Sequence, residues 1–212
     1  VIPSADIDVV PAFPVHLAMG LPAPDEVDEE GYGYFRDVWA IGEVGREEAR
    51  AMIEEERRLV SLVDQASRNE VEFDCLAQAI EKRELEYLPV GYAEQYPDSE
   101  LVREASLDSD EGVPLEALEL GVAGLSYALT SIGCFTAASC RSHSGEHPWA
   151  DRPVIFFAAE RDTVRWLTPL VAESGCGLGD GSERAPKLLV LEAPSITNFM
   201  NLARCIVQRV ER

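Results

Sequence analysis

The sequence predicts an α+β (or α/β) fold: a helical, acidic N-terminal half, then a C-terminal helix-strand-loop-strand-helix-strand-helix sandwich. Three observations carry that prediction. Residues 45–67 repeat apolar side chains at helical spacing among many acids. Beyond Pro114, short apolar runs of strand character alternate with helical patterns. Between these, residues 120–140 contain no charged side chain in a chain that is 27% charged, which places a buried helix and strand there. The chain divides into an extended proline-rich arm (1–42), a helical acidic region (43–112) and an α/β core domain (113–212).

The arm carries Pro3, Pro11, Pro14, Pro22 and Pro24, then an acidic run over 25–30. Proline removes backbone donors, so the arm is extended, with one edge strand expected near 7–10. Tyr32, Tyr34, Phe35 and Trp39 follow and are expected to pin its end onto the core. In the helix over 45–67, Ala49, Met52, Ile53, Leu59, Val60 and Val63 make the apolar stripe, and Glu47, Glu48, Glu54, Glu55, Arg57 and Arg58 take the other faces. A second helix over 71–84 presents Phe73, Leu76, Ala77 and Ile80, with its carboxylates read as a solvated face. Cys75 and Cys205, both within helices, read as small buried hydrophobes.

Residues 88–112 read as an acidic surface loop, in which 108–112 only superficially resembles a calcium loop. Pro114 suits the start of a helix and Gly133 its left-handed end, while Gly121 and Gly124 allow another element to approach closely. Strands are expected over 135–139, 154–158 and 187–192. Helices are expected over 161–173, with Pro169 kinking or restarting it, and after Ser195.

Acids outnumber bases 39 to 18, a net charge of −21. That field repels nucleic acid and anionic membranes and attracts a basic partner surface. Five dispersed cysteines suit a reducing, cytoplasmic setting. The uncharged stretch is no membrane span, because glycines, serines and threonines interrupt it and no basic flank anchors it.

The chemistry gathers in the loop 139–149, which holds two of the three histidines. Zinc is the first candidate, through Cys134, Cys140, His143 and His147. An extended 135–139 separates Cys134 from Cys140 by roughly 20 Å at about 3.3 Å per residue, too far for one ion. The remaining set is Cys140, His143 and His147, completed by water or an acid such as Glu146 or Asp151. Alternatively Cys140 is a nucleophile with His143 as its base, Arg141 lowering the thiol pKa and Glu146 or Asp151 orienting the ring. Ser139, Arg141, Ser142 and Trp149 complete the candidate binding residues. In the plainest alternative Cys140 packs, and the histidines make ordinary hydrogen bonds.

The run Gly133-Cys134-Phe135-Thr136-Ala137-Ala138-Ser139-Cys140-Arg141-Ser142-His143, followed by Pro153-Val154-Ile155-Phe156-Phe157, resembles small bacterial proteins with a Thr-x-x-Ser-Cys-x-x-His loop. Over 130–158 it is also similar to the Ser-Cys loop of the TYW3 family of tRNA-modifying methyltransferases. That family continues Ser-Gly-Arg where this chain has Cys-Arg-Ser-His. The resemblance implies that Ser139, Cys140 and His143 line a pocket and transfers no activity.

Two functions follow as expectations. The first is an acidic cytoplasmic regulatory, immunity or complex-accessory protein that binds a basic partner. The alternative is a small Cys/His hydrolase or transferase using Cys140 and His143, with or without zinc.

Overall fold

The computed structural model describes residues 1–27, 31–36, 43–107, 114–143 and 151–209. The fold is α+β. Its sheet has four antiparallel strands in the order β3 (Phe135–Cys140), β4 (Val154–Ala158), β6 (Leu189–Glu192), β5 (Gly177–Asp180). Helix α6 (Arg161–Glu173) links β4 to β5, and β6 returns between them, a split β-α-β unit. Alternation along β4 sorts the two faces. Ile155 and Phe157 enter one core with α5 (Ala123–Ser131), α6 and α7 (Ile196–Arg209), whereas Phe156 and Ala158 face the other way.

The second face is covered by a two-stranded ribbon, β1 (Gly31–Tyr32) and β2 (Phe35–Arg36). Tyr32 meets Phe135 edge-on at 5.6 Å and Phe35 lies 5.0 Å from Phe156, as the pinning reading expects. Tyr34 instead faces solvent beneath the Arg184 guanidinium, and Trp39 lies outside the described residues. The arm runs beside β5, where the Leu178 N–H donates to the Val10 carbonyl at 3.0 Å. Residues 7–10 form no regular strand there, since Pro11 interrupts any longer ladder.

Helix α1 (Arg46–Ala66) packs against both α5 and α7. Helix α2 (Glu70–Lys82), N-capped by Asn69, forms a second core with α1 and with α4 (Glu100–Ala105). This corrects the loop expected over 88–112. Short helices form at Tyr92–Gln95 (α3) and Glu100–Ala105, because Ser99 Oγ caps the latter and Leu101, Val102 and Ala105 bury their side chains. Its acids are not idle surface either: Arg58 of α1 donates to Glu100 and Glu104 at 2.8 and 2.7 Å. Residues 108–112, the superficial calcium loop, lie outside the described residues.

Further expectations change. The helix expected from Pro114 begins only at Ala123; Leu115, Glu116 and Ala117 instead form a left-handed turn with φ of 50°, 51° and 64°. The sequence reading closes the helix at 175–177 and turns the chain at 179–182, but Gly177–Asp180 form the edge strand β5; its glycine-rich sequence hides the pattern, yet a Cβ at Gly177 would sit 3.0 Å from Val9 of the covering arm. Helix α6 runs through Pro169 without a break. Cys75 and Cys205 are half-buried rather than buried. Among the described residues no helix is long and apolar enough to cross a membrane.

The approach of α1 to α5 hangs on Glu56, which sits on the apolar stripe of α1 and is 1% exposed. Its Oε1 accepts from the N–H groups of Gly121 (3.0 Å), just before α5, and of Gly124 (3.1 Å), a donor that the first turn of α5 leaves unsatisfied. A Cβ at Gly124 would lie 2.6 Å from Glu56 Oε2, and one at Gly121 (φ 92°) would run into Ile196 of α7. The close approach expected at both glycines is therefore real.

Burial pushes the Glu56 carboxyl up to about 7, with the backbone donors pulling it back down. A folded pKa above the unfolded one gives a contribution present below about pH 4.5 and lost as pH rises through about 7. The full loss is about 3 kcal/mol at about 1.4 kcal/mol per unit. Glu56→Gln keeps the acceptor and removes the titration. Its stability relative to wild type, from urea unfolding at pH 4.5 and pH 8, should rise by up to that amount.

Candidate functional site

The site forms where β3 ends. Between Thr136 and Ala138 the register to β4 shifts, leaving Ala137 as a bulge. Such an extra residue reverses the side-chain alternation beyond it. Ser139 consequently pairs with Ile155 on the helix-covered face, and Arg141 leaves the strand toward α2.

Arg141 is 3% exposed. Its Nη1 donates to Asp74 Oδ1 at 2.6 Å, and Nε and Nη2 donate to the two oxygens of Glu81 at 2.9 and 3.2 Å. Asp74 and Glu81 stand seven residues apart on α2, two turns along one face. The reading of the α2 carboxylates as a solvated face is thereby corrected for these two. The Arg141 guanidinium, expected beside a thiol or a ligand, is thus engaged by two carboxylates while it also borders a cavity.

His143 stands beside this pair. Its Nδ1 lies 3.3 Å from Asp74 Oδ1 and its Nε2 2.9 Å from Glu119 Oε1. Glu119 reaches it because the left-handed turn at 115–117 and the irregular stretch after it delay the start of α5. The other Glu119 oxygen accepts from the Arg141 N–H at 2.7 Å, and the Leu120 N–H donates to Glu81 at 2.7 Å. Ser142 holds a left-handed φ of 80° between Arg141 and His143, a conformation that costs a non-glycine residue free energy and is kept only by its surroundings.

Hydrogen bonding to Asp74, Cys140 and Glu119 lifts the His143 pKa to about 11, against the opposing effect of burial. Burial raises the Glu119 carboxyl, but the His143 hydrogen bond and charge more than reverse this and leave it lowered. Burial raises the Glu81 carboxyl despite Arg141. His143 is therefore an imidazolium at neutral pH. The general base expected at this position requires the neutral ring, which the surrounding carboxylates disfavour.

Cys140 lies against His143 and is 6% exposed. The buried thiol does not line the adjoining cavity of about 190 Å³, whose polar wall includes Asp74, Arg141, Ser142, His143 and Asp151. One ligand atom each from Glu119, Cys140 and His143 lie within 4.8 Å of one another. A tetrahedral zinc with bonds of about 2.0–2.3 Å sets its ligands about 3.3–3.8 Å apart, so small side-chain adjustments suffice.

Of the residues expected at the site, Cys140, Arg141, Ser142 and His143 come together. Ser139 is held in the sheet, and Asp151 lines the cavity beside Arg152. Cys134 is excluded, being at the far end of β3 and buried, with its thiol pushed up to about 12 by burial. Glu146, His147 and Trp149 lie outside the described residues. Glu119, Asp74 and Glu81 escaped the sequence reading. Only the seven-residue spacing of Asp74 and Glu81 on a helix hints at a shared partner. No family model, curated protein or solved structure matches the chain.

Arg141→Met should lower stability by about 3–5 kcal/mol, because it strands two carboxylates without their counter-ion. Arg141→Lys, which keeps the charge but not the bidentate fork, should fall between wild type and Met. Chemical denaturation of the three proteins at pH 7 checks the order.

Proposed function

We propose that this protein binds a divalent transition metal of the zinc class through Glu119, Cys140 and His143, as the centre of a small hydrolase or transferase. The observation that carries the reading is the convergence of one carboxylate, one thiol and one imidazole within 4.8 Å. His143 adds to it: with Nε2 toward the ion, its Nδ1–H points at Asp74, the carboxylate–histidine–metal arrangement that fixes a ligand's tautomer. Three protein ligands leave a fourth position for water or substrate, and a bound zinc makes such a water acidic. A reducing, cytoplasmic compartment suits the five free cysteines.

Ligation needs a thiolate and a neutral imidazole. One ion therefore displaces the thiol proton of Cys140 and the imidazolium proton of His143, two protons for two charges. Metal-stripped protein titrated with zinc should bind one equivalent and release two protons to a weakly buffered indicator solution. Affinity should rise about 100-fold per pH unit near neutrality, by mass action of two protons. Cys140→Ser and Glu119→Gln should each weaken binding by roughly 100-fold with the fold retained by circular dichroism. Stoichiometry near zero, or undiminished binding by both variants, defeats the reading.

The charge balance favours a second reading, in which the acidic N-terminal half docks a basic protein surface. The protein would then be a regulatory, immunity or complex-accessory component. Contacts of that kind weaken with salt. A partner retained on immobilised protein at about 0.05 M salt should be released by about 0.5 M, where the Debye length shrinks to a few ångströms. Retention of nothing, or retention indifferent to salt, removes this reading.

A further inference from the structure

A second, larger cavity of about 560 Å³ lies between α1 and α7. It shares no lining residue with the cavity beside His143. Its floor is apolar, with Ile53, Val60, Met200 and Val207. Its rim is basic: Arg50 and Arg57, seven residues apart on α1, face Arg204 of α7. In a chain with twice as many acids as bases, three guanidiniums around one opening run against the average.

The charges around that opening are unequal in how they are satisfied. Arg50 is bonded to Glu47 at 2.8 Å. Arg204 bonds the neutral Asn201 at 3.2 Å, and among the described residues neither it nor Arg57 makes an ion pair. The rim acids are Glu54 and Asp64. By contrast Arg58, the immediate neighbour of Arg57, is shared among Glu55, Glu100 and Glu104. Two exposed guanidiniums thus border an apolar floor with their fork donors available. Such forks match carboxylate and phosphate oxygens, and the volume falls in the range of small-molecule sites.

We propose that the α1–α7 cavity binds a medium-chain amphiphile with a single anionic head, carboxylate or phosphate monoester. Its apolar chain lies over Ile53, Val60, Met200 and Val207, and its head is held by Arg57 and Arg204. The head is anchored by charge and the chain by burial, so neither part alone binds well. A cationic head of equal chain length meets the two guanidiniums and is rejected.

Isothermal titration of the full chain, in chelator and below each probe's micelle concentration, tests this. Dodecanoate, dodecyl phosphate or both should bind with one-to-one stoichiometry, and comparing the two identifies the preferred head. Dodecyltrimethylammonium, acetate and inorganic phosphate should bind at least about tenfold more weakly, a difference of about 1.4 kcal/mol or more. The double variant Arg57→Gln/Arg204→Gln, altered only at exposed positions, should lose about tenfold or more for the anionic amphiphile. Its weak affinity for neutral dodecyl maltoside should not change. The proposal is overturned by an absence of saturable binding for both anions. Equal affinity for the cationic amphiphile, or an unchanged double variant, overturns it as well. Because the metal is chelated throughout, failure here leaves the zinc reading intact, and the converse holds.

Discussion

A guanidinium taken out of water demands carboxylates at fixed positions, and Arg141 imposes that demand where the end of the sheet meets α2. It leaves the end of β3, so its place is set by the sheet. Its partners Asp74 and Glu81 belong to α2, so the helical layer must come to it. The desolvation of three charged groups is recovered only when all of them meet with good geometry. A bidentate contact to Glu81 and a short one to Asp74 supply that geometry. The same carboxylate of Glu81 also holds the Leu120 N–H, so the arginine's partner fixes the chain leading into α5.

That stretch is where glutamates from two helices, α1 and α2, replace ordinary capping, while a third, Glu119, ties it to the end of β3. Glu81 of α2 takes the N–H of Leu120, Glu56 of α1 takes those of Gly121 and Gly124, and Glu119 turns back to take the N–H of Arg141. Helix starts normally satisfy such donors with a local serine, threonine, asparagine or aspartate. Here the donors are buried between helices, and long side chains from neighbouring elements reach them. The glycines at 121 and 124 follow from this, since a side chain at either would collide with the approaching helix or its carboxylate.

Much of the fold was legible because it rests on periodicity. The stripe of α1, the burial of 120–140, strands β3, β4 and β6 and the face of α7 all follow from apolar spacing. Strand β5 was hidden because Gly177 and Gly179 carry no side chain to alternate. The turn at 115–117 was hidden because nothing in Leu-Glu-Ala announces a left-handed backbone. At the site, Cys140 and His143 were legible by residue type and proximity in sequence. Their acidic partners were not, since Asp74 lies 69 residues from His143 and Glu119 lies 24. Glu56 was the exception that left a mark: it falls on the stripe of Ala49, Leu59, Val60 and Val63, where a charge has no place unless something meets it.

The charge state of the cluster ties its structural and chemical roles together. Asp74, Glu81 and Glu119 set three carboxyl groups around the single guanidinium of Arg141 and the peptide N–H that follows Cys140. His143 hydrogen-bonds to Asp74, Cys140 and Glu119, and these contacts lift its pKa to about 11. The carboxylates assembled around Arg141 to hold the layers together are thereby also what keeps His143 oriented, with Glu119 on one ring nitrogen and Asp74 on the other.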